Sequence, residues 1–266
     1  MATTREFGIV GKQAIALTLT VIGGFVDAVG YIALFQVFTA NMSGNSVHVG
    51  MYLGGLDLAN LARPVCAIIA YVLGVTITRV VAELAARSDF QRIASLTLTV
   101  EALLLFLFAR ATPAMHLGTI VDLRSPAYFL LVALLAFAMG VQTGTLTHIG
   151  LLTVYTTFVT GTLTKFSESF VRSSFWMWDR LAASRARIFD IVRDAWGQRD
   201  VREMLFLASI WSCYVAGAVM GTLTKSRWEL RALYLPVGVL MLFVVIDLFR
   251  PIGVQEERHQ RGMSTS

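Results

Sequence analysis

Charge is what this sequence has least of. Only 15% of its 266 residues are Asp, Glu, Lys or Arg, against about 25% in an ordinary soluble domain. With 56% hydrophobic residues and a mean hydropathy of +0.68, the chain has too little polar surface to clothe a compact core in water. That excludes a soluble enzyme, a disordered chain and a nucleic-acid-binding module. Cysteine is scarce too. Cys66 and Cys213 both fall in apolar runs, which implies reduced core thiols rather than a disulfide framework. Four histidines, with no second ligand at metal-binding spacing, give no reason to expect a metal centre. Paired acid and base, nucleophile triad and phosphate loop are all missing, so the chain reads as a non-enzyme without a cofactor.

What is abundant is long apolar runs. A bilayer span takes about 20 mostly apolar residues, and six runs approach that length: 14–35, 64–82, 93–109, 128–148, 204–223 and 233–249. Backbone in lipid must satisfy its own hydrogen bonds, so each run is predicted to be a helix. The first is too long for the apolar core of a signal peptide and reads as an uncleaved span. Pro64 and Pro126 stand where helices would begin, since a first turn needs no N–H there. Pro113 and Pro251 follow predicted helix ends, and Pro236 falls early in the last run. Two further stretches, 36–56 and 151–170, are rich in Gly, Ser, Thr and Asn. Each fits a weak span, a re-entrant hairpin or a broken helix, and non-helical backbone at membrane depth is tolerated only beside protein or a watery cavity. Residues 172–203 gather Arg, acids and Trp, and read either as an amphipathic interfacial helix or as a helix packed on the protein itself.

The chain resembles itself. Gly24-Phe25-Val26-Asp27 precedes Phe38-Thr39-Ala40-Asn41-Met42-Ser43-Gly44-Asn45, and Gly140-Val141-Gln142-Thr143 precedes Tyr155-Thr156-Thr157-Phe158-Val159-Thr160-Gly161-Thr162. From the leading to the later Gly is 20 residues in one half and 21 in the other. If the Gly-centred stretches do not cross fully, each half has three spans and the second is inverted. Inverted repeats place a binding site near the midplane, where interrupted helices meet. If both stretches cross, eight spans form two parallel halves. The distribution of Lys and Arg puts both termini and the 172–203 segment in the cytoplasm under either count.

The motif Gly24-x-x-Asp27-Ala28-x-Gly30-Tyr31 with Phe38-x-Ala40-Asn41-Met42-Ser43-Gly44-Asn45, together with 156–164, resembles the YoaK-like family of bacterial membrane proteins. The likeness covers nearly the whole chain except the 172–203 insertion. It implies about six spans, and because that family is of unknown function it implies no activity. Ser43 stands where the family more often has Thr, and Thr143 where an amide is expected.

The predicted architecture is therefore an all-α integral protein of the bacterial inner membrane. About six transmembrane helices form two tandem half-repeats, most simply inverted, over residues 1–112 and 125–250, with a cytoplasmic insertion at 172–203 and a polar tail at 251–266. Asp27 is the sharpest candidate, because an ionisable group inside a span costs about 2.5–3.5 kcal/mol on insertion scales and usually faces a partner or cavity. It is expected to couple or bind a cation. Asn41, Ser43, Gly44, Asn45 and His48 form one candidate solute-binding cluster, and Thr160, Gly161 and Thr162 the opposite wall, with Gln142 between them. Glu101 is expected to pair with Arg79, and Lys165 either to anchor at the cytoplasmic surface or to meet Asp27. Tyr71 and Tyr214 need hydroxyl partners. Function is expected to be passage of a small polar or ionic solute, as a transporter or channel. The alternative is a sensor or assembly protein acting through 172–203. Lipid and a small solute are the expected partners, nucleic acid is not, and self-association stays open.

Overall fold

The computed structural model describes residues 9–88, 92–116, 123–146, 159–183 and 193–249. Among them there is no strand. The helices are α1 (Ile9–Ala33), α2 (Met42–Gly54), α3 (Leu58–Arg87), α4 (Ile93–His116), α5 (Pro126–Leu146), α6 (Val159–Ala183), α7 (Arg199–Trp228) and α8 (Tyr234–Phe249), with a 3-10 turn Glu229–Leu233 joining the last two. Five helical stretches are long and apolar enough to cross a membrane, the fifth being the continuous α7–turn–α8 segment. Each apolar run read from the sequence falls within one helix, except that the first runs two residues past α1, the fourth two residues past α5, and the last begins in the 3-10 turn.

Two proline readings need correction. Pro64 does not start a helix: α3 begins six residues earlier, where the Asp57 side chain accepts from the Asn60 N–H as an N-cap. Nor does Pro113 follow a helix end, since α4 runs on to His116. Pro126 opens α5, and Pro236 lies in the first turn of α8, where its missing N–H has no intrahelical partner to lose.

The bundle is apolar on its outer face, and its largely apolar core also holds several polar side chains. Leu73, Ile77 and Val80 of α3, Leu103 and Leu107 of α4, Val219 and Leu223 of α7, and Leu242 and Val245 of α8 are exposed. Asp27, Asn45, Thr78, Glu101, Gln142, Thr143 and Asp247 are buried. That distribution suits lipid as the solvent.

Helices α1 and α5 form the centre. They run antiparallel: the Tyr128 hydroxyl donates to Leu34 O at 2.8 Å, and Gln142 Nε2 donates to Leu19 O at 3.1 Å. Around this pair, α7 packs on α1 and α3 on α5, while α4 packs on both α5 and α8. Small residues set the two closest crossings. A Cβ on Gly24 would lie 2.0 Å from Tyr214 O, and one on Gly217 2.0 Å from Val21 O. On the other flank, a Cβ on Gly74 would lie 2.4 Å from Phe137 O, and one on Gly140 2.3 Å from Tyr71 O. Only hydrogen fits at these four positions, and it is what lets the backbones touch.

Candidate functional site

Asp27 sits six residues before the end of α1, about 9 Å inside it at 1.5 Å per residue. Past Ala33 the chain turns back through Phe35 (φ 51°) and Gln36 (φ 69°), two non-glycine residues in the left-handed region. It then drops to the level of Asp27. There Oδ1 accepts from Thr39 N at 2.9 Å, Thr39 Oγ1 at 3.1 Å and Ala40 N at 2.8 Å. The other oxygen, Oδ2, accepts from the Tyr214 hydroxyl of α7 at 2.7 Å. Two of the four partners are backbone N–H groups, which can only donate, and both meet Oδ1. The two backbone N–H groups at the turn have no secondary-structure partner, so Asp27 supplies one.

The next residues lock the same knot. Asn45 is fully buried, accepting from Phe38 N at 3.0 Å and donating to Phe38 O at 2.7 Å. Its amide thus pairs with one residue's backbone as a neighbouring strand would. Asn41 caps α2, its Oδ1 accepting from Gly44 N at 3.3 Å and from the Ser43 hydroxyl at 2.7 Å. A Cβ on Gly44 would meet the Phe38 ring at 2.8 Å. His48, a turn further along, stacks 6.2 Å from Phe38 and lies 6.2 Å from Tyr52.

So α2 is a short helix of 13 residues, about 20 Å long and too short to cross the roughly 30 Å hydrocarbon core. The turn that precedes it is tied to Asp27 through Thr39 and Ala40, while Asn41 and Gly44 are half-buried and Ser43 is exposed. Of the sequence candidates, Asp27, Asn41, Ser43, Gly44 and Asn45 gather in this knot, with His48 beside it. Gln142 lies elsewhere, at Leu19, eight residues along α1 from Asp27. Thr160 is exposed, Gly161 half-buried and Thr162 buried at the start of α6, which packs on α7 while α2 packs on α3. Among the described residues, the two clusters are not brought face to face. The rest of the second motif, 147–158, lies outside the described residues, as does 184–192 of the charged insertion. Its flanks are the end of α6, from Arg172, and the start of α7.

Two expected pairings are corrected. Lys165 is exposed and is not a partner of Asp27, whose oxygens are taken by Thr39, Ala40 and Tyr214. Glu101 does not pair with Arg79: both its oxygens are buried without a hydrogen-bond partner. The tyrosines do find their partners, Tyr214 on Asp27 and Tyr71 on Thr143 Oγ1 at 3.0 Å.

The sequence reading missed Thr39 and Tyr214 as members of the knot. The signal for Tyr214 was available, because Tyr71-x-x-Gly74 and Tyr214-x-x-Gly217 repeat the same spacing. It also missed a second buried acid pair: Asp247 of α8 accepts from Ser95 N at 3.0 Å and from the Ser95 hydroxyl. Among the described residues, no three His, Cys, Asp or Glu side chains gather as a metal site.

A helical bundle with an apolar outer face, five helical stretches long and apolar enough to cross a membrane and several buried polar side chains defines a polytopic membrane protein. The chain belongs to the family described as "Protein of unknown function (DUF1275)", whose model matches residues 15–246. It is similar to the UPF0700 transmembrane protein YoaK of Bacillus subtilis (strain 168), at 30% identity over 162 residues. That match spans 59% of this chain and 66% of the relative, just under two-thirds of its length. No solved structure matches.

Proposed function

We propose that the chain passes a small polar or ionic solute across the bacterial inner membrane, at a site between two inverted half-repeats. The observation that carries this reading is the depth of the α2 N-terminus. A half-helix whose entry turn is tied to Asp27, about 9 Å inside the end of α1, sets the positive end of its dipole at that level, with the Met42, Gly44 and Asn45 N–H groups bonded to Ala40 O, Asn41 Oδ1 and Asn41 O. Interrupted helices of this kind form the sites of inverted-repeat transporters. In this reading Asp27 and Asn45 hold the broken segment at depth. Asn41, Ser43 and His48 then present polar groups beside the aromatic edge of Phe38.

The inverted repeat is supported by reciprocal contacts. Tyr214 reaches from α7 to Asp27, three residues past Gly24, and Tyr71 reaches from α3 to Thr143, three residues past Gly140. Gly24 meets the backbone of Tyr214 and Gly140 that of Tyr71. Gly217 meets Val21, three before Gly24, and Gly74 meets Phe137, three before Gly140. Exchanging the halves reproduces the whole set, and α1 and α5 run in opposite directions as inversion requires. Counting α7 and α8 as separate spans makes six. Both termini then lie on one side, the cytoplasmic one by the Lys and Arg balance.

The test is solute binding and flux. Thermal unfolding of purified protein across a panel of small weak acids, amines and ions should reveal a stabilising ligand, because a ligand that binds only the folded state raises stability by mass action. Proteoliposomes should then accumulate that ligand, and Gly44→Val should abolish uptake in folded protein. A stabilising ligand that never crosses the bilayer would instead favour a sensor.

A further inference from the structure

Glu101 is the one buried acid left over from these arrangements among the described residues. Asp27 has four donors and Asp247 is held by Ser95. Glu101, in the middle of α4, is 0% exposed, and neither carboxylate oxygen has a hydrogen-bond partner. An ionised carboxylate buried without donors is among the most unfavourable arrangements a bundle can hold.

Its position follows from the packing. The side of α4 that meets α8 is marked by Ser95, bonded to Asp247, and by Phe106, 5.8 Å from Tyr234. At about 100° per residue, Glu101 lies roughly 130° around the helix from that side. Since it is buried and α5 is the other helix packed along α4, it faces α5. The packing gives its level. Ile93 clusters with Ala82 and Ala85, which sets Glu101 near residues 74–77 of α3. Gly74 in turn touches Gly140 and Val141 of α5. Glu101 is therefore level with Gln142, whose Nε2 is taken by Leu19 O and whose Oε1 is likewise buried without a partner. A carboxylate and an amide oxygen at one level are two acceptors with nothing to share. A single proton on the acid resolves both.

We infer that Glu101 is held as the neutral acid, donating toward Gln142, and is the group in the membrane interior that takes up and releases a proton. The surrounding charges leave it that role. Helix α5 contains no Asp, Glu, Lys, Arg or His, and its Tyr128 hydroxyl is given to Leu34. From α8 come Asp247, held by Ser95 about 9 Å along α4, and Tyr234. Glu229 and Arg231 lie in the 3-10 turn at the far end. On α3, Glu83 pairs with Arg87 at 3.2 Å and Arg79 makes no bond to Glu101. On α4 itself Arg110 lies nine residues away. The level matters as well. Thr143 holds the place in the second half that Asp27 holds in the first, so the acid at that depth comes from α4. The coupling part of this inference rests on the transport reading, while the protonation part stands without it.

The test pairs infrared spectroscopy with flux. Reconstituted wild-type protein at neutral pH should show a protonated-carboxyl C=O component that shifts in D2O. It should disappear in Glu101→Gln and persist in Asp27→Asn. Under an imposed pH difference, proton entry reported by a trapped pH-sensitive dye should be at least tenfold slower with Glu101→Gln. Should Glu101→Gln fail to fold, Glu101→Leu serves in both measurements, since it puts an apolar side chain of similar size in the buried site and gives up only the bond to Gln142. A wild-type component unchanged in these variants would overturn the assignment even if solute uptake is found. The component without uptake of any tested solute would instead leave the proton site standing and sink the transport reading. Undiminished proton entry in the variants would overturn the exchange role.

Discussion

Gly24→Ala tests the closest contact in the bundle. The added Cβ would fall 2.0 Å from Tyr214 O, 2.9 Å from its carbonyl carbon and 3.2 Å from Ala218 N. A carbon and a carbonyl oxygen settle at about 3.3 Å or more, so α1 and α7 must part by roughly 1.3 Å there. The obstacle is backbone in a helix, which cannot swing aside as a side-chain tip would. The same parting would stretch the 2.7 Å bond from Tyr214 to Asp27 to about 4 Å, beyond hydrogen-bond range. Overpacking costs about 1–3 kcal/mol and a hydrogen bond to a charged group about 1.5–3 kcal/mol. The better helix propensity of Ala returns about 1 kcal/mol, leaving a net loss of roughly 2–5 kcal/mol. Gly217→Ala disturbs the same crossing, so the double variant should lose clearly less than the sum. Gly238→Ala, with no atom within 4 Å of the new Cβ, is the control and should be neutral or stabilising by up to about 1 kcal/mol. Equilibrium unfolding in mixed detergent micelles reads all four. A Gly24→Ala midpoint equal to that of wild type would refute the close crossing.

The two tyrosines should differ in the same assay. Tyr214→Phe removes a bond to a carboxylate, about 1.5–3 kcal/mol, whereas Tyr71→Phe removes one between hydroxyls, about 0.5–1.5 kcal/mol; a Tyr214→Phe loss no larger than that of Tyr71→Phe would refute this ranking. Asp27→Ala leaves the Thr39 and Ala40 N–H groups unsatisfied and should lose at least about 3 kcal/mol, while Asp27→Asn, which still accepts through Oδ1 and can donate to the Tyr214 oxygen, should lose less than half as much. Outside the membrane, hydrogen bonds from the Asn60 side chain and then its backbone N–H hold the Asp57 carboxyl below the usual carboxylate range. A depressed carboxylate contributes stability above its unfolded value and loses it as pH falls through its folded one. Hydrogen exchange at the start of α3 should therefore quicken below about pH 4 in wild type, and Asp57→Ala should remove that acid dependence.

Most of the fold was legible in the sequence because lipid leaves few choices: an apolar run of span length must be a helix, and each of the six runs is helical over nearly all of its described residues. The half-broken stretch 36–56 was legible as irregular, since its Asn, Ser and Gly satisfy backbone locally. What ties it into the bundle is visible only in the structure, where Asp27 reaches twelve residues along the chain to Thr39. The role of Asp27 was less legible. A lone acid in a span reads the same whether it meets solute, cation or the chain's own N–H groups, and only geometry counts its donors. Glu101 was misread for the complementary reason. Arg79 lies at a suitable depth, but it sits on α3, which touches α4 only slightly, and neither oxygen of the acid has a hydrogen-bond partner. Helix partners were invisible throughout, because spacing within a run says which face is small but not which helix meets it. Gly24 and Gly217 are 193 residues apart.

Sidedness of the connections tests the inverted arrangement most directly. In a background with Cys66 and Cys213 replaced by Ala, single cysteines at Leu56, Ser88 and Ser226 are labelled in sealed vesicles with a membrane-impermeant thiol reagent. Six spans with α2 turning back place Leu56 and Ser226 on one side and Ser88 on the other. Labelling of Ser88 and Ser226 from the same side, with Leu56 opposite, would mean that α2 crosses, and would contradict inverted halves.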